Sequence, residues 1–177
     1  VVPEPDRINP GLKITPDSEE VRRNRHAING VIVEDIDSCM IKFSKCCTPV
    51  PGDDIIGFIT RGYGVSVHRT DCPNAAARSD PRQAARWVHC HWATADNQPF
   101  NTTLELECTN RDGLVMDVST VMFETRVRMK GFNATELENG RCIIAVSFEV
   151  RNVTELNRIT NRLLSIKDVL SARRGQN

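Results

Sequence analysis

One spacing constrains this chain more than anything else in it: Cys46-Cys47, then His68, then Cys72, or C-C-x20-H-x3-C. It brackets a run dense in strand signals. Val31-Ile32-Val33 and Met40-Ile41-Lys42-Phe43 read as short strands. Pro49-Val50-Pro51-Gly52-Asp53 is turn chemistry, since proline fixes φ and glycine accepts positive φ. Ile55–Thr60 and Val65–His68 predict a hairpin around Arg61-Gly62-Tyr63-Gly64. Asp71-Cys72-Pro73-Asn74 opens a short helix with Pro73 at its first position. The unit over 31–78 has fewer than about fifty residues, a size that usually needs a metal, disulfides or a partner.

Zinc takes thiolate and imidazole ligands in four-coordinate geometry, and the His68–Cys72 spacing suits it. Cys72 at a helix start has its thiolate favoured by the dipole. Successive side chains of a strand point to opposite faces. Cys46 and Cys47 therefore share one ion only if the chain turns there, which Thr48-Pro49 permits; otherwise Asp71 or Cys39 supplies the fourth ligand. Spacing alone leaves three readings open: zinc, buried structural cysteines and redox chemistry. Cys108 and Cys142 lie on predicted strands and read as core, and His89-Cys90-His91 reads as an ordinary extended segment.

Seven cysteines is an odd number. The start, Val1-Val2-Pro3-Glu4-Pro5-Asp6, has no secretory character. A reduced, cytoplasmic setting follows as the expectation, and there clustered cysteines suggest metal or redox chemistry. With no Met at its start, the sequence is expected to be a fragment of a longer chain. The longest apolar runs, such as Cys142–Val146, fall far short of the about 20 residues that span a membrane. Lys and Arg number 23, and Asp and Glu 23. A generally basic nucleic-acid surface is excluded, so any RNA contact must be a local patch.

Residues 1–30 read as a partly helical linker, with a helix start at Pro16-Asp17-Ser18-Glu19-Glu20 and a basic cluster over 22–26. Residues 79–99 read as a connector. Over 100–177 the elements are clear. Thr103–Cys108 alternates with period two, and Leu114, Val118, Val121 and Met122 line a helix face. Val127–Leu137 and Cys142–Val150 flank Asn139-Gly140, a hairpin signal. Asn152-Val153-Thr154-Glu155 resembles a capping box before a helix carrying Leu156, Ile159 and Leu163, and Lys167–Arg173 closes with a strand. The order βαββαβ is ferredoxin-like, so the chain as a whole is expected to be α+β. An RNA-stacking version of that fold needs aromatics on its central strands. Glu105 and Glu107 occupy that face of the first strand instead, and Arg141–Phe148 offers no aromatic pair.

The stretch Lys45-Cys46-Cys47-Thr48-Pro49-Val50-Pro51-Gly52-Asp53-Asp54, continuing through Arg61-Gly62-Tyr63-Gly64 to His68-Arg69-Thr70-Asp71-Cys72-Pro73-Asn74, resembles the cysteine-containing, zinc-finger-like domain of long RelA/SpoT-type (p)ppGpp synthetase/hydrolases. The βαββαβ unit resembles the ACT domain that ends those proteins. The resemblance covers about residues 30–177 and implies a structural zinc on Cys46, Cys47, His68 and Cys72. It also implies a regulatory tail without catalytic residues, restraining upstream hydrolase and synthetase domains and contacting ribosomal RNA. Lys45, Arg61 and Arg69 around the hairpin are the expected RNA contacts, against Asp53, Asp54 and Asp71. Thr109-Asn110-Arg111-Asp112-Gly113-Leu114 resembles the effector loop of ACT domains, whose helix-start N–H groups can receive a carboxylate. Asn110, Asp112, Gly113, Leu114, Val115 and Met116 are the candidate ligand residues, with Asn133 from a facing subunit of a homodimer. The apolar members favour a branched-chain effector, valine or isoleucine. The competing reading is an ACT-bearing tail of a metabolic enzyme with a redox-sensing cysteine pair. A self-contained cysteine enzyme is disfavoured, since Cys72 and His68 lack a third orienting group.

Overall fold

The computed structural model describes residues 30–36, 39–62, 64–93 and 98–175. The expected linker helix and basic cluster lie outside the described residues.

The first sheet has five strands: β1 (Val31–Val33), β2 (Ile41–Phe43), β3 (Ile55–Thr60), β4 (Gly64–Arg69) and β5 (Trp87–Trp92), in the order β1-β5-β3-β4-β2. Only the β2–β4 pair is parallel. Val31, Val33, Ile41, Val65, Val67 and Cys90 form its small core. Gly64, with φ 94, is pressed against the Met40 carbonyl, and any side chain there would strike that backbone. The β3–β4 hairpin, and the 3-10 helix Pro73–Ser79 after Cys72, follow the expected pattern.

β5 lies in the segment read from sequence as a connector. It pairs with both β1 and β3, so the sheet continues to Trp92. The run Trp87-Val88-His89-Cys90-His91-Trp92 carries strand-forming residues, but its partners are far away in sequence and local pattern cannot name them.

The second sheet contains β6 (Phe100–Thr109), β7 (Met129–Glu136), β8 (Arg141–Val150) and β9 (Val169–Arg174), in the order β7-β8-β6-β9, all antiparallel. Helices α1 (Leu114–Glu124) and α2 (Val153–Leu164) complete the βαββαβ order. Leu104, Leu106, Ile144, Val146 and Phe148 pack with Leu114, Val118, Met122, Leu156, Ile159 and Leu163. Asn152 Oδ1 accepts from the Glu155 N–H at 2.9 Å, and Glu155 reaches back to the Arg151 N–H at 2.8 Å. Both residues of the Asn139-Gly140 turn have positive φ, 65 and 70. On the opposite sheet face Glu105 pairs with Arg173 at 2.8 Å and Glu107 pairs with Arg141. That face is ionic, as the period-two reading of β6 requires.

The two units are joined by more than a linker. Val50, fully buried, belongs to the core of the second unit although it lies in a turn of the first. Trp92 stacks on Phe43 at 5.7 Å and meets Phe100 edge-on at 5.3 Å. The Val153 N–H, at the start of α2, donates to Pro51 O at 2.7 Å. Gly52, with φ 100, sits so close that a Cβ there would be 2.5 Å from Val153 Cγ1.

Candidate metal centre

After β2 the chain turns sharply. Thr48 N donates to Ser44 O at 3.0 Å, and Thr48 takes φ 41. A β-branched residue rarely enters that left-handed region, and holding it there costs about 1–3 kcal/mol. The turn resolves the geometric problem of adjacent cysteines, because both thiols now face His68. Cys46 Sγ lies 3.4 Å from His68 Nδ1 and 3.4 Å from Cys72 Sγ, and Cys47 Sγ lies 3.9 Å from the same Nδ1. The ligand atoms of Cys46, Cys47, His68 and Cys72 are all within 4.8 Å of one another. A tetrahedral zinc site with bonds of about 2.0–2.3 Å has ligand–ligand edges of roughly 3.3–3.8 Å. The four residues could hold such an ion once their ligand atoms, up to 4.8 Å apart, draw in around it. Asp71 and Cys39 stand outside this group: Asp71 pairs with Arg69, and Cys39 packs against the small core of the first sheet.

The surroundings suit a metal. Burial lowers the His68 pKa and so favours the neutral imidazole that metals bind. Burial opposes ionisation of the Cys46 thiol, but hydrogen bonds with Ser44, Asn74, Cys72 and Cys47 outweigh it and lower its pKa. Burial pushes Cys47 up to about 12, although the Arg69 N–H, 3.3 Å from its sulfur, acts the other way. At neutral pH the metal-free Cys47 thiol therefore keeps its proton, and a bound divalent ion must displace it. Raising the pH weakens that competition, so zinc affinity is expected to rise with pH. Calorimetric zinc titrations near pH 7, in two buffers of different ionisation enthalpy, should report net proton release. Identical heats in both buffers would contradict thiol deprotonation.

Lys45, next to Cys46, is exposed, and so is Arg61, at the tip of the β3–β4 hairpin, the end away from His68. Arg69 is not comparably open: its side chain is 14% exposed and its Nε lies 2.9 Å from Asp71. Cys108 and Cys142 face each other across β6 and β8, both buried as expected. Cys90 is buried between the exposed His89 and His91.

In the loop between β6 and α1 Asp112 is exposed, and in the first turn of α1 Val115 and Met116 are exposed while Leu114, expected to line a ligand, is instead buried in the core. Gly113 caps the helix with φ 80. Asn110 donates to Glu136 at 3.3 Å, and Asn133, on β7, donates to Thr135 at 3.3 Å. The residue that organises the loop is Arg111, which sequence reading did not single out. It pairs with Asp117 at 2.6 Å and Asp168 at 2.8 Å, and it donates to Lys167 O at 3.2 Å. These partners tie the loop before α1 to the turn before β9. The alternating charges offered no signal for this, because Asp168 is distant in sequence.

Comparison with known proteins adds to this geometry. Residues 31–93 match the RelA/SpoT RIS domain, and residues 96–174 match an ACT domain. The bifunctional (p)ppGpp synthase/hydrolase RelA of Mycobacterium tuberculosis is 36% identical over 140 residues, which is 79% of this chain and 19% of that protein. The GTP pyrophosphokinase of Escherichia coli K12 is 33% identical over 155 residues, 86% of this chain and 21% of that protein. The chain thus spans about a fifth of the length of these relatives and corresponds to their C-terminal region. Among solved structures, the ACT domain from the GTP pyrophosphokinase of Chlorobium tepidum matches with a TM-score of 0.40 and 13% identity, covering 44% of this chain and 99% of that one.

Proposed function

We propose, from the membership of this chain in the RelA/SpoT-type family through its RIS and ACT domains, that it is the regulatory C-terminal region of a (p)ppGpp synthetase/hydrolase. The observation that carries this reading is the tandem of the two matched domains, over residues 31–93 and 96–174. The parent protein is then a cytoplasmic enzyme whose upstream catalytic domains this region restrains. No helix among the described residues is long and apolar enough to cross a membrane.

In this reading a zinc ion on Cys46, Cys47, His68 and Cys72 holds the RIS domain in shape. It is structural: four protein ligands leave no open coordination position for chemistry. Lys45 and Arg61 carry the contact with ribosomal RNA, and Arg69 supports the hairpin through Asp71. Reversing Lys45 and Arg61 to Glu in the parent protein is expected to weaken ribosome association by roughly tenfold or more at low salt and to flatten its salt dependence. Unchanged binding at low salt would refute the contact.

The ACT domain is the proposed effector site and homodimer element. A branched-chain amino acid, valine or isoleucine, places its carboxylate at the helix-start amides after Gly113. Val115 and Met116 offer apolar surface, and Asn110 supplies an acceptor for the ammonium group. Plentiful amino acid then biases the parent away from synthesis. Calorimetry should detect saturable valine and isoleucine binding that Asn110→Ala weakens severalfold. Absence of heat at millimolar ligand, with folded protein, would leave this domain a role in assembly alone.

The separation of Cys46 and Cys72, 3.4 Å, also suits a redox pair in the absence of metal. Elemental analysis of protein purified without chelator separates the two. Near-stoichiometric zinc supports the structural centre, and folded protein without metal leaves the cysteines as buried packing or a redox pair.

A further inference from the structure

The face of the first sheet opposite its small core carries an organised row of side chains. Lys42 of β2 is in register with Ser66 of β4, Ser66 with Phe58 of β3, and Phe58 with Trp87 of β5. One row thus crosses four strands as cation, hydroxyl, aromatic, aromatic. Above it lies a cavity of about 580 Å³ lined by these four residues together with Lys45, Asn74 and others. Its size falls in the range of ligand pockets, about 300–1,000 Å³. No Asp or Glu lines it, although the chain has 23 of them. The Phe58 and Trp87 rings lie 4.8 Å apart at a tilt of 55°, and the Arg86 guanidinium, 4.4 Å from the Phe58 centroid, braces that ring while its Nε donates to Ile59 O at 3.0 Å. The aromatic end is therefore fixed.

We propose that this cavity binds a nucleoside phosphate, with its base stacked on Trp87 and edged by the tilted Phe58 ring, and its phosphate between Lys42 and Lys45. Aromatic side chains on a sheet face stack bases without needing sequence readout, and lysines at one end supply the phosphate charge. Three strand spacings separate Lys42 from Trp87, roughly 14 Å, enough to lay a mononucleotide along the row. Asn74 adds a side-chain amide to the lining. The pocket abuts the metal centre at Cys46 and His68 but uses neither as a ligand for the nucleotide. It is separate from the ACT effector loop and shares only Lys45 with the RNA contact proposed above. The nucleotide can come from solution or as one residue of an RNA strand.

The test uses the 177-residue chain with its metal content verified. AMP, GMP and a short single-stranded oligoribonucleotide are titrated while tryptophan fluorescence and heat are recorded. Saturable binding is expected, weakened at least tenfold by Lys42→Glu with Lys45→Glu and about fivefold by Phe58→Leu, with metal content and circular dichroism unchanged. Binding of the mononucleotides assigns the site to a free nucleotide; binding of the oligonucleotide alone assigns it to a nucleotide within RNA. If none of the three binds, the assignment is overturned. It is equally overturned if oligonucleotide binding survives Lys42→Glu and Phe58→Leu but is lost with Arg61→Glu. That second result would leave the hairpin contact standing and the cavity without this role.

Discussion

Cys72→Ser should cost the first sheet its independent unfolding transition while the ACT sheet continues to melt cooperatively. The asymmetry lies in the cores. The ACT domain buries Leu104, Leu106, Ile144, Phe148, Leu156, Ile159 and Leu163 among others, whereas the first sheet relies on Val31, Val33, Ile41, Val65, Val67 and Cys90. Around the thiols the packing is smaller still, with Cys47, Cys72 and Ala75 as its buried members. Structural zinc contributes an apparent 10–16 kcal/mol, about that range, in zinc-finger peptides. Bound at the four ligands, zinc would add a contribution of that order to a small core. It would also hold the strained Thr48, at φ 41, and close the segment between Cys47 and His68. With Cys72 replaced, one of the four ligands is gone and the buried Cys47 thiol regains its proton. Zinc content should fall well below one per chain, and thermal denaturation should show one ACT transition, lowered by the loss of Val50 from its core. Cys39→Ser, outside the cluster, is the control and should change neither. Retention of stoichiometric zinc and an unchanged melt in Cys72→Ser would remove the metal from the account of this fold.

The parts of the fold that were legible in the sequence are those set by local chemistry. Alternation in Thr103–Cys108, the Asn139-Gly140 turn and the Asn152–Glu155 cap each act within a few residues, and each forms as read. The four-residue cluster was legible because its spacing reports ligand chemistry, with Thr48-Pro49 permitting the necessary turn. What was hidden depends on residues far apart in sequence. β5 joins β1 and β3 across long loops. Arg111 meets Asp168, and Arg69 is drawn to Asp71 instead of lying open. Val50 reads as one residue of a Pro-Gly turn, yet it is a core residue of the other domain. The cross-strand row from Lys42 to Trp87 also needs the strand order before it can be seen.

The turn that follows the cysteine pair is also the place where the two domains are fastened, and Asp53→Ala is expected to loosen that joint by about 3–5 kcal/mol. Arg174, on the last strand, donates to Asp53 Oδ1 at 3.1 Å, to Asp53 Oδ2 at 3.0 Å and to Thr48 O at 2.6 Å. The two side chains are only 14% and 11% exposed. Asp53 Oδ2 also accepts the Val50 N–H at 2.8 Å, which fixes the turn that delivers Val50 into the ACT core. Removing the carboxylate leaves a largely buried guanidinium with one carbonyl, and that orphaned charge is the main cost. Trp92 reports the joint directly, since its indole donates to Asp53 O at 2.9 Å and packs between Phe43 and Phe100. Its emission should shift to the red in Asp53→Ala, and the two domains should melt at more widely separated temperatures. Arg174→Met alone should act in the same direction. The double variant Asp53→Leu with Arg174→Met should recover much of the loss, because an apolar pair of similar volume has no charge to desolvate. Additive losses in the double variant, or a change in Asp53→Ala below about 0.5 kcal/mol, the usual scatter for surface substitutions, would show that the pair is not what fastens the cysteine-bearing turn to the ACT domain.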